Sequence, residues 1–202
     1  VRDSEERIMR IVIVTFFVLA VAGCSRDKSD ASSAWRSVAE KDLTEVQAGQ
    51  RAVAVAARDA LFERLSARLT AVVSKDGPAA AIAVCQSEAP TIAETVGREK
   101  NVRIGRTALK LRNPKNQPPE WAASTIAQKP GNPVFFAGPE GKLGTLLPIR
   151  LKAQCLTCHG PAETLPPPVR AALSERYPSD QAVGFAEGDL RGWFWVEVPP
   201  AK

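Results

Sequence analysis

VRIGRTALKLRNPKNQPPEW, residues Val102–Trp121, is where this chain changes character. Its first half alternates like a strand and its second half is a Pro/Asn-rich loop. Everything before it reads as helix. From Ala34 to about Val73 there is no proline and Gly49 is the single glycine. Across that stretch Trp35, Val38, Leu43, Val46, Val53, Ala57, Leu61, Leu65, Leu69 and Val72 recur at three- and four-residue steps, which predicts one long amphipathic helix or two. A second helix is expected to open at Pro78, where a missing N–H costs nothing, and to run to about Val96. Its apolar face carries Ala81, Ile82, Cys85, Ala89 and Ile92, which turns Cys85 inward, and Pro90 is expected to kink it. Beyond Trp121 the pattern is that of a sheet. PVFFAG and KLGTLLPIRLK read as strands joined at Pro139-Glu140-Gly141, and RGWFWVEVP as a closing strand with Trp193 and Trp195 on one side and Phe194 and Val196 on the other. Two short helices, PPEWAASTIAQK and PPPVRAALSERYP, lie among them. Helices first and an antiparallel sheet afterwards predict an α+β domain.

At 202 residues the chain is long enough for one domain with a sizeable core. A net charge of +5 is spread along it without a basic block, so nucleic acid is not an expected partner. The N-terminus is more specific. After Met9 and Arg10, an apolar run of about 14 residues leads to Cys24. That is shorter than the ~20 residues of a spanning helix and suits the apolar region of an export signal. Val21-Ala22-Gly23-Cys24 resembles the bacterial lipobox, in which the cysteine is lipidated and becomes the mature N-terminus. The expectation is a signal peptide over 1–23, a flexible tether over 24–33 and a folded domain over 34–202. Cys24 would anchor the domain by lipid on the periplasmic side of a bacterial membrane. The removed segment holds three basic and three acidic residues, so the mature chain keeps +5.

Cys155, Cys158 and His159 form Cys-x-x-Cys-His, the attachment signature of c-type haem. Two thiols three apart reach neighbouring vinyl groups on one porphyrin edge, and the next residue supplies an axial imidazole. A thioredoxin-like dithiol would want the motif to open a helix, whereas Gly160 and Pro161 follow it. A structural zinc site would want four ligands, and only Cys85 is left in the body of the protein to complete one. A disulfide would leave His159 unexplained. One covalent haem c is therefore expected. His159 is the only histidine, and removal of the signal leaves no methionine, so neither of the usual electron-carrier ligand pairs can form. The iron is five-coordinate or takes Cys85, Tyr177 or a lysine as its sixth ligand.

These residues resemble a family of single-haem c-type proteins with a PAS-like fold, long carried as a domain of unknown function. The resemblance spans 35–199 and lies in AAAIAVCQSEAP, in the stretch from Val102 to Ala122, in CLTCHGPAETLPPPVRAAL and in YPSDQAVGFAEGDLRGWFWVEVP. It implies a PAS-like antiparallel sheet with long N-terminal helices, and His/Cys axial ligation that carries over onto His159 and Cys85. It also implies a redox or diatomic-gas sensor, with a one-electron carrier as the alternative. The 202 residues show no signalling module beside the domain, so the expectation is that a sensor would act through a partner protein. An enzyme such as a peroxidase would want a distal acid–base group, and no second histidine exists to be one. Arg106 and Arg112 are candidates for pairing with haem carboxylates, ordinary surface charge being the other reading.

Overall fold

A computed structural model describes residues 35–201. The expected signal segment, the tether and Cys24 lie outside those residues. Among the described residues no helix is long and apolar enough to cross a membrane.

Two long helices make an antiparallel hairpin. Helix α1 (Glu45–Asp76) starts at a capping box: Gln47 N–H donates to the Thr44 hydroxyl (3.2 Å) and Thr44 N–H to the Gln47 side chain (3.0 Å). It ends at Gly77, whose φ of 83° an L side chain would resist, and Pro78 opens helix α2 (Pro78–Lys100) at once. Two bidentate pairs cross the hairpin on its exposed side, Arg64 with Glu99 (2.6 and 3.1 Å) and Arg68 with Glu88 (2.6 and 2.8 Å). Exposed as they are, both are screened by water and contribute little to stability. Helix α2 runs through Pro90 and continues past Val96 to Lys100.

The N-terminal end departs from expectation. Arg36–Val38 is not helix but an edge strand, β1. Trp35 and Val38 satisfy a helical spacing, yet Trp35 stacks on Trp121 (centroids 5.1 Å apart, planes 26° apart), and the capping box delays the helix to Glu45. With β2 (Arg103–Thr107), β3 (Val134–Ala137), β4 (Leu143–Arg150) and β5 (Leu190–Val198), it builds one antiparallel sheet in the order β1-β3-β4-β5-β2. The α+β architecture, an antiparallel PAS-like sheet behind long N-terminal helices, is the one expected.

Alternation along the strands gives the sheet two cores. Ile104, Leu143, Leu147, Phe194 and Val196 face the hairpin, meeting Ala54, Ala57, Leu61 and Leu65 of α1 and Ala89 and Val96 of α2. Phe136, Leu146 and Trp193 face the other way, onto Trp121, Ala122 and Ile126 of α3 (Glu120–Ala127). A Cβ on Gly144 would lie 2.8 Å from the Trp35 ring and 3.2 Å from Trp121, so this glycine lets the aromatic stack sit down on the sheet. The remaining helices are the short α4 (Leu156–His159) and α5 (Pro167–Arg176). Helix α5 packs on α2 through Val169 and Leu173, with Leu165 and Tyr177 beside them, around Ile82.

Leu61 is fully buried between hairpin and sheet. Leu61→Ala should lower unfolding stability by about 2–5 kcal/mol in urea titrations, as cavity-forming changes do. Val53→Ala on the exposed side of the same helix should stay within about 0.5 kcal/mol. Equal losses for the two would refute this account of the core.

Candidate functional site

Cys85, on the second turn of α2, comes to line the same cavity as Cys155, Cys158 and His159. The cavity holds about 560 Å3 and opens between the helix hairpin, the end of β2 and the segment after β4. That is within the ~300–1,000 Å3 of cofactor-sized sites. Its wall is mainly apolar, with Leu65, Leu69 and Ile82 from the hairpin and Ile149, Leu151 and Phe194 from the sheet side. A more open groove of about 950 Å3 lies along α2 and β2, and Cys85 and Arg106 line both spaces.

The local fold around the cysteine pair follows from β4. After Arg150 the chain makes one turn of tight helix, Ala153–Cys155, and then α4; Cys155 ends the first, and Cys158 and His159 stand in the second. Gly160 ends it, its N–H donating back to Leu156 O at 2.8 Å. The loop before β5 is then laced to this segment: Phe185 N–H donates to His159 O (3.0 Å) and Gly184 N–H to Gly160 O (2.9 Å). All three described cysteines are free thiols, and no group of three His, Cys, Asp or Glu among the described residues converges for a metal ion. The sulfurs and the imidazole surround a space rather than close on a point.

His159 is held in one tautomer. Its Nδ1 lies 2.7 Å from the carbonyl oxygen of Ala182. A carbonyl only accepts, so Nδ1 carries the proton and Nε2 keeps the lone pair. Burial, and then the charges of Arg112 and Arg191, push the imidazole pKa down to about 3, so the ring is neutral at ordinary pH. Phe185 stands edge-on to it, 6.4 Å between centroids. For Cys85, burial pushes the thiol pKa up while Arg106, Arg112 and Arg191 pull it down. Burial raises that of Cys158 as well. Tyr177, a possible ligand by sequence, is buried against α5 and pushed up to about 12, chiefly by burial and then by Cys85.

Arg112 has a role its sequence context did not announce. It is 8% exposed and bonded to the protein: Nε donates to Asp180 Oδ2 (3.0 Å), and Nη2 to Cys158 O (2.6 Å) and Ala182 O (3.1 Å). It is first a brace between the cysteine segment and the loop that accepts from His159. Arg106 differs. The groups that bear on it, after its own burial, are the Cys85 thiol and the Tyr177 phenol rather than a carboxylate. A third guanidinium, Arg191, was missed by sequence reasoning. It lines the cavity, donates from Nη1 to Lys110 O (3.0 Å) and lies 5.6 Å from the Phe185 centroid. Desolvation, then the neighbouring Arg112, lowers its pKa to about 10. Asp180 and Ala182 were missed too: a backbone carbonyl leaves no trace in residue identity, and one aspartate in a loop gives no pattern.

The family model described as Tll0287-like matches residues 29–199. Among solved structures, the crystal structure of the cyanobacterial heme-protein Tll0287 is similar, at 25% sequence identity, covering 69% of this chain and 97% of that chain with a TM-score of 0.48. No curated protein matches.

Proposed function

From its membership of the Tll0287-like family, the premise on which its chemistry can be read, we propose that the chain is a mono-haem c-type protein that senses redox state or a diatomic gas. The observation that carries the reading is a single cavity lined by Cys85, Cys155, Cys158 and His159. In this reading Cys155 and Cys158 hold the haem by thioether bonds, His159 offers Nε2 to the iron, and Cys85 offers a thiolate. When bound, the haem supplies a one-electron couple and, once a ligand leaves, a position for a small gas.

The residues present suit such a group. Four guanidiniums line the cavity; Arg150 is bonded to the Gly188 and Gly131 carbonyls, and among the described residues the one carboxylate bonded to any of them, Asp180, belongs to Arg112. Among the described residues Arg106 and Arg191 form no ion pair of their own, which suits a ligand with two carboxylates, since buried charge is costly without a counter-charge. Arg112 keeps Nη1 for a third contact. The cavity's apolar wall suits a porphyrin plane. Cys85 would be the variable element, held as thiolate to ferric iron and released on reduction. We further read the domain as exported and lipid-anchored through Cys24, acting through a redox or signalling partner rather than by catalysis.

The test is absorption spectroscopy of the full-length protein, oxidised and reduced, with and without carbon monoxide. A sensor should show a low-spin ferric spectrum with thiolate character, and a ferrous form whose spectrum changes on carbon monoxide. Fast electron exchange with no ligand loss and no gas binding would make the chain a periplasmic electron carrier and end the sensor reading.

A further inference from the structure

Asp180, Arg112, Ala182 and His159 form a closed set of hydrogen bonds. Asp180 Oδ1 accepts from Ala182 N–H (2.8 Å) and Oδ2 from Arg112 Nε (3.0 Å). Arg112 Nη2 in turn donates to Ala182 O (3.1 Å), the same oxygen that accepts from His159 Nδ1 (2.7 Å). Both side chains of the ion pair are under a tenth exposed, so water does not dilute the arrangement.

Two donors on one carbonyl compete. The more strongly Ala182 O accepts from Nδ1, the more imidazolate-like the ring becomes and the stronger its Nε2 is as a donor to a metal. A guanidinium on the same oxygen draws its electron density away and weakens that effect. Asp180 opposes the guanidinium from its far side and keeps the withdrawal partial. The second Arg112 bond, to Cys158 O (2.6 Å), holds the residue before His159 in place, so the ring and its acceptor share one brace.

We propose that Arg112, restrained by Asp180, is a positioning residue that sets the donor strength of His159 and so holds the potential of the bound cofactor above the value a free Ala182 carbonyl would give. This rests on the haem reading above and adds to it which residues tune the iron.

The test measures the midpoint potential of the haem-loaded, full-length protein, together with the 15N shift of histidine Nδ1. With a single histidine in the chain, labelled histidine reports His159 alone. The pair change Arg112→Met with Asp180→Asn removes both charges together and should lower the potential. Shell changes of this kind are worth about tenfold, and where that falls on one oxidation state alone it shifts the potential by about 59 mV for one electron. Asp180→Asn alone leaves the guanidinium unopposed and should raise the potential. General loosening of the site would move both variants the same way, which would overturn the assignment, as would haem-loaded variants with unchanged potential and Nδ1 shift. Should the pair change not fold, the rise expected of Asp180→Asn, or its absence, decides alone. A wild-type protein lacking the haem c signature in alkaline pyridine would remove the haem reading and this one with it.

Discussion

Cys155→Ala combined with Cys158→Ala should yield a folded chain that retains no haem under denaturing conditions. Both sulfurs are half-buried members of a short segment on the cavity wall, and neither belongs to the two sheet cores. What braces that segment is backbone: Arg112 donates to Cys158 O and Phe185 N–H to His159 O. Truncating the side chains leaves both bonds in place. The fold is therefore expected to survive with a loss of about 2 kcal/mol for the two changes together, Cys158 also giving up its packing on the cluster around Ile82. In that reading the cofactor's retention should fall from stoichiometric to nothing detectable by haem staining on denaturing gels, because His159 and Cys85 as ligands would supply only exchangeable bonds. Each single replacement should leave one thioether and an intermediate yield. Covalent haem in the double variant would end the attachment reading.

Cys85→Ala should produce the second largest change, at the iron rather than at the linkage. Cys85 lines the cavity opposite no acidic neighbour, with Arg106 the foremost positive charge favouring its thiolate over the protonated form. An anionic ligand stabilises ferric over ferrous iron, so its loss raises the potential. A unit charge about 4 Å away at an effective dielectric near 20 is worth about 4 kcal/mol. That is close to three decades in the ferric-to-ferrous ratio, on the order of 170 mV for one electron. The ferric spectrum should lose its thiolate character and become high-spin, while haem staining stays as in the parent protein. An unchanged spectrum and potential would remove Cys85 from the site and leave the thioether prediction untouched. The two experiments therefore test separately the residues proposed to hold the group and the one proposed to govern it.

The helices were legible because burial against one sheet face imposes a three-and-four spacing on α1 and α2, and the strands because alternation separates Trp193 from Phe194. Boundaries were less so. Trp35 and Val38 fit a helix by spacing, and only the pairing of β1 with β3 and the stack on Trp121 decide otherwise. Pro90 removes one N–H from α2, but the helix is buried on both sides of it and continues. The site was legible in part for a similar reason. Covalent attachment needs residue types at fixed sequence spacing, so Cys155, Cys158 and His159 announce themselves. The guanidiniums do so less: the sequence singled out Arg106 and Arg112 but not Arg191, and only the fold shows Arg112 reaching Asp180, Cys158 O and Ala182 O, and Arg191 reaching Lys110 O.

From sequence alone follow the α+β class, the cysteine-histidine cluster, and the lack of any second histidine, which leaves Cys85 among the few candidates for a second ligand. Those are properties of composition, periodicity and local spacing. The tertiary structure alone decided that Cys85 and His159 line one cavity though 74 positions separate them in the chain. It also decided that His159 is held with its proton on Nδ1, that Arg112 braces a loop, and that Arg191 joins the cavity from the closing strand. Each depends on backbone carbonyls and on segments brought together by packing of the hairpin on the sheet. Contacts between segments distant in sequence are made by the folded chain as a whole, and no window of residues encodes them.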